Sequence, residues 1–166
     1  MNLPWFVAVC RDAPHPLVGE ASEGHRPVVV YFASGRPWLA AYGQGGLVYA
    51  ERGPRRLAVL GESTITADRL GRLLDVEPDA TAIVNSTHAE PGSFCVLYTD
   101  GETTIAQGAA SGIRELYIGV EQHGSVLVSD QASRVAAVLR APVNRSSVAF
   151  GLLHPGLDAV IDGQTY

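Results

Sequence analysis

The chain has 166 residues, of which 46% are hydrophobic and 17% charged, with a formal net charge of −5. This composition is typical of one globular domain and excludes a disordered chain. The densest basic spot is Arg55-Arg56, so a nucleic-acid-binding surface is not expected.

The basic side chains exclude several kinds of chemistry. All twelve Lys and Arg residues are arginines. Without lysine, the chain has no phosphate-loop lysine, no Schiff-base lysine and no lysine general base. An arginine binds an anion but does not act as a proton shuttle near neutral pH.

Two cysteines, Cys10 and Cys95, do not form a disulfide framework for a chain of this length and fit a reducing compartment. The apolar run at residues 5–10 is too short for a signal peptide or a membrane span. We therefore expect a cytoplasmic domain that does not enter a membrane.

The first half of the sequence predicts strands. They are bounded by Gly or Pro and rich in β-branched and aromatic residues, at residues 5–10, 28–33, 37–42, 47–51 and 56–60. The turn signal Gln44-Gly45-Gly46 predicts a hairpin between the third and fourth of these strands.

Two helices are predicted next, at residues 67–75 after a Thr66 cap and at residues 80–89 after an Asp79 cap. Four further strands follow at residues 93–99, 103–107, 115–120 and 126–129, with a two-residue hairpin turn at Asp100-Gly101. Asp130 is expected to cap a helix that runs to residue 140. Ser146 or Ser147 is expected to cap a last short helix through residue 153.

The order of strands, two helices, strands and helices predicts an α+β fold, with two antiparallel sheets and helices packed outside them. The polar segment at residues 158–166 is interpreted as the start of a linker.

No motif for catalysis or metal binding emerges. The five histidines form no i, i+4 pair, and the segment 108–112 has the wrong spacing for a Gly-x-Ser-x-Gly nucleophile elbow. Cys10 and Cys95 lie in apolar strand patterns, where thiols behave as small hydrophobes. We therefore predict no metal site and no catalytic residue.

Arg36-Pro37-Trp38 is a candidate partner contact, because exposed Arg and Trp side chains anchor protein interfaces. The alternative is that Trp38 packs inward at the start of a strand while Arg36 is solvated.

A linear pattern in the second half resembles a known family. It comprises Gly92-Ser93-Phe94 before the Asp100-Gly101 turn, then the stretches at residues 112–117 and 124–130. This order is similar to the glutaminase-type domain of asparagine synthetases. A closer similarity, carried by residues 34–39, 56–61, 91–94 and 107–114, is to the lasso peptide macrolactam synthetases, or lasso cyclases.

The resemblance implies a four-layer αββα sandwich of the N-terminal-nucleophile hydrolase type over residues 1–157. It also implies a synthetase domain, in the same or a separate chain, that this sequence does not contain. That domain uses ATP and Mg²⁺ to adenylate an acidic side chain of a precursor peptide, so no cofactor is expected here. The implied partners are the synthetase domain, the precursor peptide, and leader-binding or protease proteins.

The sequence departs from an active glutaminase of this family at two positions. Such an enzyme begins with a cysteine whose own amine is the base, whereas Met1-Asn2 stands here. Leu60 replaces the asparagine of the family's Asn-Gly-Glu, whose side chain stabilises the oxyanion. The expectation is an inactive relict pocket at Asn2, Leu60, Gly61 and Glu62, in a domain with a structural or peptide-positioning role.

Two alternatives stay open. One is an active amidohydrolase, which requires cleavage after Val9 to make Cys10 the first residue. The other is a free-standing binding module that uses Arg36 and Trp38.

Overall fold

The structure is a computed structural model that describes residues 5–14, 26–43, 46–110, 112, 114–121 and 124–141. Within these ranges the chain forms nine strands and three helices. In chain order they are β1 (Trp5–Val9), β2 (Val28–Tyr31), β3 (Pro37–Tyr42), β4 (Leu47–Arg52), β5 (Arg55–Ser63), α1 (Ala67–Val76), α2 (Ala80–His88), β6 (Gly92–Thr99), β7 (Thr104–Gln107), β8 (Tyr117–Val120), β9 (Val126–Ser129) and α3 (Ala132–Leu139).

The described strands form two sheets in which every pair is antiparallel. One sheet has the order β2-β3-β1-β9-β8, which we call the five-stranded sheet. The other has the order β4-β5-β6-β7 and is called the four-stranded sheet. The α+β class and the two antiparallel sheets predicted from the sequence are therefore confirmed.

The predicted hairpin at Gln44-Gly45-Gly46 is wrong. β3 belongs to the five-stranded sheet and β4 to the four-stranded sheet, so the two strands do not pair. Glycine permits a sharp change of direction as readily as a hairpin turn, and Gly43 and Gly46 both have positive φ. The glycines here mark the passage of the chain from one sheet to the other.

One of the two large apolar layers lies between the two sheets. Alternate residues of β1, Phe6 and Ala8, meet alternate residues of β5 and β6 there, such as Ala58 and Leu97. Because neighbouring side chains on a strand point to opposite faces, the intervening residues of these strands face the helices instead.

The helices cover the outer faces of the sheets. α1 and α2 pack on the four-stranded sheet, where Leu70, Leu74 and Ile83 join Leu57 and Val59 in one buried cluster. α3 packs on β8 and β9 of the five-stranded sheet, over a smaller cluster of Val7, Val9 and Leu127. This arrangement is compatible with the expected sandwich.

Of the three predicted helix caps that fall within the described residues, two are confirmed. Thr66 Oγ1 accepts a hydrogen bond from the backbone N–H of Arg69 at 3.3 Å, and Asp79 Oδ1 accepts one from Ala82 at 2.8 Å. Each satisfies a backbone donor that has no partner inside its helix. The expectation that Asp130 caps the third helix is wrong: the N-cap of α3 is Gln131, whose side chain makes no capping hydrogen bond.

The hairpin between β6 and β7 is confirmed, although its turn is longer than predicted. Thr99 pairs with Thr104, so four residues rather than two connect the strands. Asp100 Oδ1 accepts hydrogen bonds from the backbone N–H groups of Glu102 and Thr103. The short helix predicted after Ser146 or Ser147 and the linker predicted at residues 158–166 lie outside the described residues.

Candidate functional site

A cavity of about 180 Å³ opens between the two sheets, near the start of β1 and the end of β5. Residues of both sheets line this cavity, together with Arg114 and Asp130, which lie outside the strands. The lining residues are Trp5, Phe6, Val28, Ala41, Tyr42, Gly43, Gly46, Leu47, Tyr49, Leu60, Gly61, Arg114 and Asp130. The set is mostly apolar with one acid and one base, which is the usual character of a small-ligand site.

Stacked aromatic rings form one wall of the cavity. Trp5 and Tyr42 are opposite each other on β1 and β3, and their ring centroids lie 3.8 Å apart with an interplanar angle of 8°. The guanidinium carbon of Arg134, on α3, lies 4.2 Å from the centre of the Trp5 ring. Such stacking and cation–π contacts hold the Trp5 ring in one orientation.

Arg114 and Asp130 form the polar part of the wall. Arg114 Nη1 lies 3.7 Å from Asp130 Oδ2, and the Asp130 side chain is only 8% exposed. Asp130 Oδ1 also accepts a hydrogen bond of 3.0 Å from the backbone N–H of Phe6. The carboxylate is therefore fixed by β1 on one side and faces a guanidinium on the other.

Burial is the main cause of the raised pKa values of Asp130 and the neighbouring Cys95. Desolvation raises the pKa of Asp130, although the N–H groups of Phe6 and Asp130 and the charge of Arg114 lower it. The nearby thiol of Cys95 is fully buried. Desolvation and then the charge of Asp130 raise the pKa of Cys95 to about 11, against smaller opposing effects of Arg114 and the backbone of Ala109. At neutral pH Cys95 is a thiol and not a nucleophile.

Gly61 brings the end of β5 close to its neighbours. Its φ of +138° is unfavourable for other residues, and a Cβ there would collide with the backbone of Ser93 and Phe94 on β6. Its N–H donates a 2.8 Å hydrogen bond to the carbonyl of Gly46. Glycine at this position therefore allows the backbones near Gly46, on β5 and on β6 to approach one another closely beside the cavity.

The structure places two of the four predicted pocket residues in the cavity wall, Leu60 and Gly61. Glu62 is exposed and is not among the lining residues. Asn2 lies outside the described residues. Leu60 offers only methyl groups to the cavity and cannot donate a hydrogen bond.

Of the two residues in the predicted partner contact, Arg36 is exposed and Trp38 is buried. Trp38 is 0% exposed and belongs to the cluster between the sheets, so its ring cannot anchor a partner. Arg36 is half exposed and lies 3.3 Å from the Asp12 carboxylate. The structure thus supports the alternative in which Trp38 packs inward, because the short stretch after Ser34-Gly35 starts a strand of the five-stranded sheet.

Cys10 does not lie in the cavity. It follows β1, and its backbone N–H donates to the carbonyl of Val126, which extends the pairing of β1 with β9. Burial raises the pKa of its thiol to about 11. Among the described lining residues there is no Cys, Ser, Thr or His, so the described cavity wall offers no thiol, aliphatic hydroxyl or imidazole as a nucleophile.

Sequence reasoning missed the most polar part of the site. In the sequence Arg114 has a place only within a family motif, and the residue type of Asp130 predicts a helix cap. Their partnership joins residues that are 16 positions apart across β8 and β9, and neither short-range spacing nor composition indicates it. The signal in the sequence is Asp130, a single charged residue that directly follows the apolar strand at residues 126–129.

Comparisons with known proteins do not identify the chain. No protein-family model matches it, and no curated protein matches it either. Of the helices in the described ranges, none has the length and apolar character needed to cross a lipid bilayer. The same part of the chain holds no group of three or more His, Cys, Asp or Glu residues arranged for a metal ion.

Proposed function

We propose that this chain is a glutaminase-like domain without glutaminase activity, working with the synthetase domain of an ATP-dependent, asparagine synthetase-like lasso peptide cyclase. Its role is structural and peptide-positioning. The N-terminal-nucleophile hydrolase-like form of the αββα sandwich is part of this proposal, and so are the partners: the synthetase domain, the precursor peptide and its leader-binding or protease proteins.

The layer order supports the proposed fold. A helical pair, a four-stranded sheet, a five-stranded sheet and a further helix follow one another through three apolar clusters. The cavity lies between the sheets beside the first strand, where an enzyme of the proposed type would hold a terminal nucleophile. These features are what the resemblance leads one to expect.

The observation that carries the proposal is Leu60. The resemblance puts an oxyanion-stabilising amide at this position, and the structure puts an apolar side chain, 6% exposed, into the cavity wall. Loss of one such donor typically slows acyl transfer by about a hundredfold or more. Residues 1–4, Met-Asn-Leu-Pro, contain no hydroxyl or thiol side chain.

Loss of glutaminase chemistry is consistent with ring closure. In the proposed cyclase, ATP converts an acidic side chain of the precursor peptide into an acyl adenylate and releases pyrophosphate. The peptide's own terminal amine then attacks the acyl carbon, forms the amide and releases AMP. Because the peptide supplies the amine, no ammonia from glutamine is needed. ATP and Mg²⁺ belong to the synthetase domain.

The alternative of an active amidohydrolase beginning at Cys10 is disfavoured by the position of β1. This strand lies in the middle of the five-stranded sheet, between β3 and β9, and Phe6 and Ala8 are fully buried. Cleavage after Val9 would remove the strand and, with it, the backbone donor to Asp130. The binding-module alternative loses Trp38 as a contact, because that side chain is buried.

The test is an assay of the intact chain with glutamine. We expect no ammonia above the uncatalysed background, an intact mass that includes residues 1–9, and slow alkylation of both thiols below about pH 9, because a pKa of about 11 leaves little thiolate there. The variant Leu60→Asn is the matched control. It restores an amide donor but no nucleophile, so it stays inactive. Ammonia release that stops when a thiol at a trimmed terminus is alkylated would overturn the proposal.

The cyclase assignment has its own test. The reading frame that contains this chain, or a neighbouring frame, is expected to encode an ATP-binding synthetase domain and a short precursor peptide. When these are combined with ATP and Mg²⁺, the product is expected to have the mass of the processed peptide less one water, and omission of this domain is expected to lower its yield. A genome neighbourhood without a synthetase domain would contradict the assignment.

A further inference from the structure

We propose that the cavity between the sheets binds a small, uncharged ring compound that carries an amide N–H and C=O on one edge, such as a lactam or a pyridone. The amide edge bridges Arg114 and Asp130, and the ring lies among the apolar side chains of the wall. This inference goes beyond the proposed function and does not depend on it, because it uses only the geometry and charge of the cavity.

The volume and the walls of the cavity limit the size of the ligand. The volume of about 180 Å³ is below the ~300–1,000 Å³ of sites for drug-sized molecules. An apolar cavity of about 150 Å³ is large enough to bind benzene, so a single ring with a small substituent matches the space here. Phe6, Leu47 and Leu60 provide apolar wall for such a ring.

The cavity extends from an exposed rim to a buried interior. Val28 and Tyr49 line it and are 54% and 41% exposed, whereas Phe6 is fully buried. A concave site of this kind encloses most of the surface of a small molecule and still lets it enter from solvent. The expected ligand is therefore a free small molecule that lies wholly inside the cavity.

Two polar atoms in the cavity wall have no hydrogen-bond partner. Arg114 Nη1 and Asp130 Oδ2 lie 3.7 Å apart, which is too far for a hydrogen bond. Asp130 Oδ1 accepts from the N–H of Phe6, but Oδ2 accepts no hydrogen bond and the Arg114 guanidinium donates none among the described residues. The Asp130 side chain is only 8% exposed, and a polar atom left unpaired in such a place is costly. A ligand that pairs with both atoms removes this cost.

The arrangement of the pair selects the edge of the ligand. The wall presents a donor beside an acceptor, so the ligand needs an acceptor beside a donor. An amide within a small ring has its C=O and N–H on the same edge, whereas a trans peptide bond has them on opposite sides. A ring amide therefore reaches Arg114 and Asp130 together, and an ordinary peptide bond does not.

The charges of the pair select a neutral ligand. The guanidinium and the carboxylate sum to zero, so a charged ligand would leave an uncompensated charge in a partly buried part of the wall. A free amino acid would bring two further charges, and both would lose water on binding. A neutral ring amide adds two hydrogen bonds and leaves the balance of charge unchanged.

The experiment uses the full chain and three ring compounds of similar size. 2-Pyridone has the ring N–H next to the C=O, 2-pyrone has an oxygen in place of that N–H, and benzoate is charged. Binding is measured by amide chemical shifts of the protein. We expect saturable binding of 2-pyridone, with shifts at Phe6 and Leu60, and about tenfold weaker binding of 2-pyrone, because it lacks the hydrogen bond to the carboxylate. Benzoate is expected not to saturate at millimolar concentration.

Asp130→Asn gives the sharpest test on the protein side. The Asn oxygen is expected to keep the hydrogen bond from the Phe6 N–H, since an amide nitrogen does not accept, and the Asn NH₂ then replaces Oδ2 in the wall. The wall would present two donors and a net positive charge. We therefore expect 2-pyridone to bind at least tenfold more weakly than in the wild type and benzoate to become the preferred ligand, a reversal that a merely structural role of Asp130 would not produce.

Two further variants and one control complete the set. Arg114→Met removes the guanidinium and Leu60→Trp fills the cavity, and each is expected to lower the affinity for 2-pyridone at least tenfold. Arg52→Gln is the control and should bind normally, because Arg52 pairs with Asp75 on the surface and is not among the lining residues. If Leu60→Trp does not fold, Asp130→Asn and the 2-pyrone comparison decide the result.

The outcomes separate this inference from the proposed function. Absence of saturable 2-pyridone binding, equal affinity for 2-pyridone and 2-pyrone, or an unchanged order of preference in folded Asp130→Asn would overturn the ring-amide site. Tighter binding of free glutamine than of 2-pyridone would overturn it as well, because the cavity would then hold a charged, open-chain ligand. Ammonia release or a neighbourhood without a synthetase domain would instead overturn the proposed function and leave the site standing.

Discussion

Asp130 shows how one buried carboxylate connects distant parts of the chain. It lies directly after β9, accepts a hydrogen bond from the backbone of Phe6 on β1, and lies 3.7 Å from Arg114 in the cavity wall. The preceding residue, Ser129, donates its hydroxyl to the carbonyl of Phe6. Both backbone groups of Phe6 are therefore held by side chains at the end of β9, and this fixes the start of β1 against the cavity.

Two substitutions of Asp130 are expected to have opposite effects on the free energy of unfolding. Asp130→Ala leaves the Phe6 N–H without its acceptor and is expected to destabilise the protein by about 1–3 kcal/mol at neutral pH. Asp130→Asn keeps an acceptor oxygen and removes the buried charge. Because burial raises the pKa of Asp130, the charged form is the less favourable one in the folded state, so this variant is expected to be at least as stable as the wild type.

The difference in unfolding free energy between Asp130→Asn and the wild type is expected to change with pH in one direction. A carboxyl whose folded pKa is raised contributes its full stability below the unfolded pKa of about 3.9, and this contribution is lost as the pH rises through the folded pKa. The advantage of Asp130→Asn over the wild type should therefore be absent in acid and grow toward neutral pH. Urea unfolding at several pH values measures it. Asp75→Asn, at the exposed pair with Arg52, is the control and should show little effect.

At the scale of elements, the helices differ in how their first turns are completed. α1 and α2 each have a side-chain cap, whereas Gln131 at the start of α3 contributes none. α3 is also the shortest of the described helices, with eight residues, and Val135 is its only buried residue. Among the described residues, no side chain at the start of α3 accepts a hydrogen bond from the backbone donors of its first turn.

The caps make a paired prediction. Asp79→Ala removes the acceptor for the Ala82 N–H and is expected to cost about 1 kcal/mol. Gln131→Ser introduces a preferred cap residue at α3 and is expected to gain a few tenths to about 1 kcal/mol. Thermal unfolding monitored by circular dichroism measures both. Equal destabilisation by the two changes would show that the start of α3 is not limited by its cap.

The elements that the sequence predicts well are those whose signals are local. The caps at Thr66 and Asp79 and the hairpin at Asp100-Gly101 depend on contacts within a few residues. The structure confirms both caps and the hairpin, but the hairpin connection has four residues rather than two. β5 runs beyond its predicted end, through Gly61 to Ser63, because pairing with β6 continues to Gly92. That extension depends on a partner strand that the local pattern does not reveal.

The features that local patterns fail to predict are set by tertiary pairing. Gln44-Gly45-Gly46 carries the same turn signal whether the next strand joins the same sheet or the other one. Asp130 is a good cap residue by type, yet the N–H of Phe6 is its partner. Likewise Leu60 and Gly61 were identified by a family pattern, whereas the aromatic wall and the Arg114–Asp130 pair became visible only when both sheets were assembled.

At the scale of the whole molecule, the three apolar layers differ in size. The layer between the sheets and the layer under α1 and α2 each contain a dozen buried residues, whereas the layer under α3 contains three. Gly119 on β8 touches Val135 and Leu139 so closely that a Cβ there would collide with both side chains. α3 is thus attached through a small, close contact at one end of the five-stranded sheet.

This difference predicts a hierarchy of amide exchange. Amides of β5 and β6 are expected to exchange only on global unfolding, whereas those of α3 exchange through a local opening that has a lower free energy. Leu97→Ala, between the sheets, is expected to cost about 2–5 kcal/mol and to lower protection throughout the molecule. Val135→Ala should lower the protection of amides only in α3 and β8. Hydrogen–deuterium exchange with mass spectrometry distinguishes the two patterns, and a uniform loss in Val135→Ala would contradict the hierarchy.

The passage of the chain between sheets has a consequence during synthesis on the ribosome. The four-stranded sheet is one continuous segment, β4 to β7, whereas β1 must wait for β9, more than a hundred residues later, before its second edge is paired. Synthesis from the N-terminus therefore leaves β1, whose five residues are all hydrophobic, paired on one side only until nearly all of the described chain has been translated, a period in which it is open to self-association. A slowed ribosome or a missing chaperone should accordingly affect the yield of this protein more than its equilibrium stability.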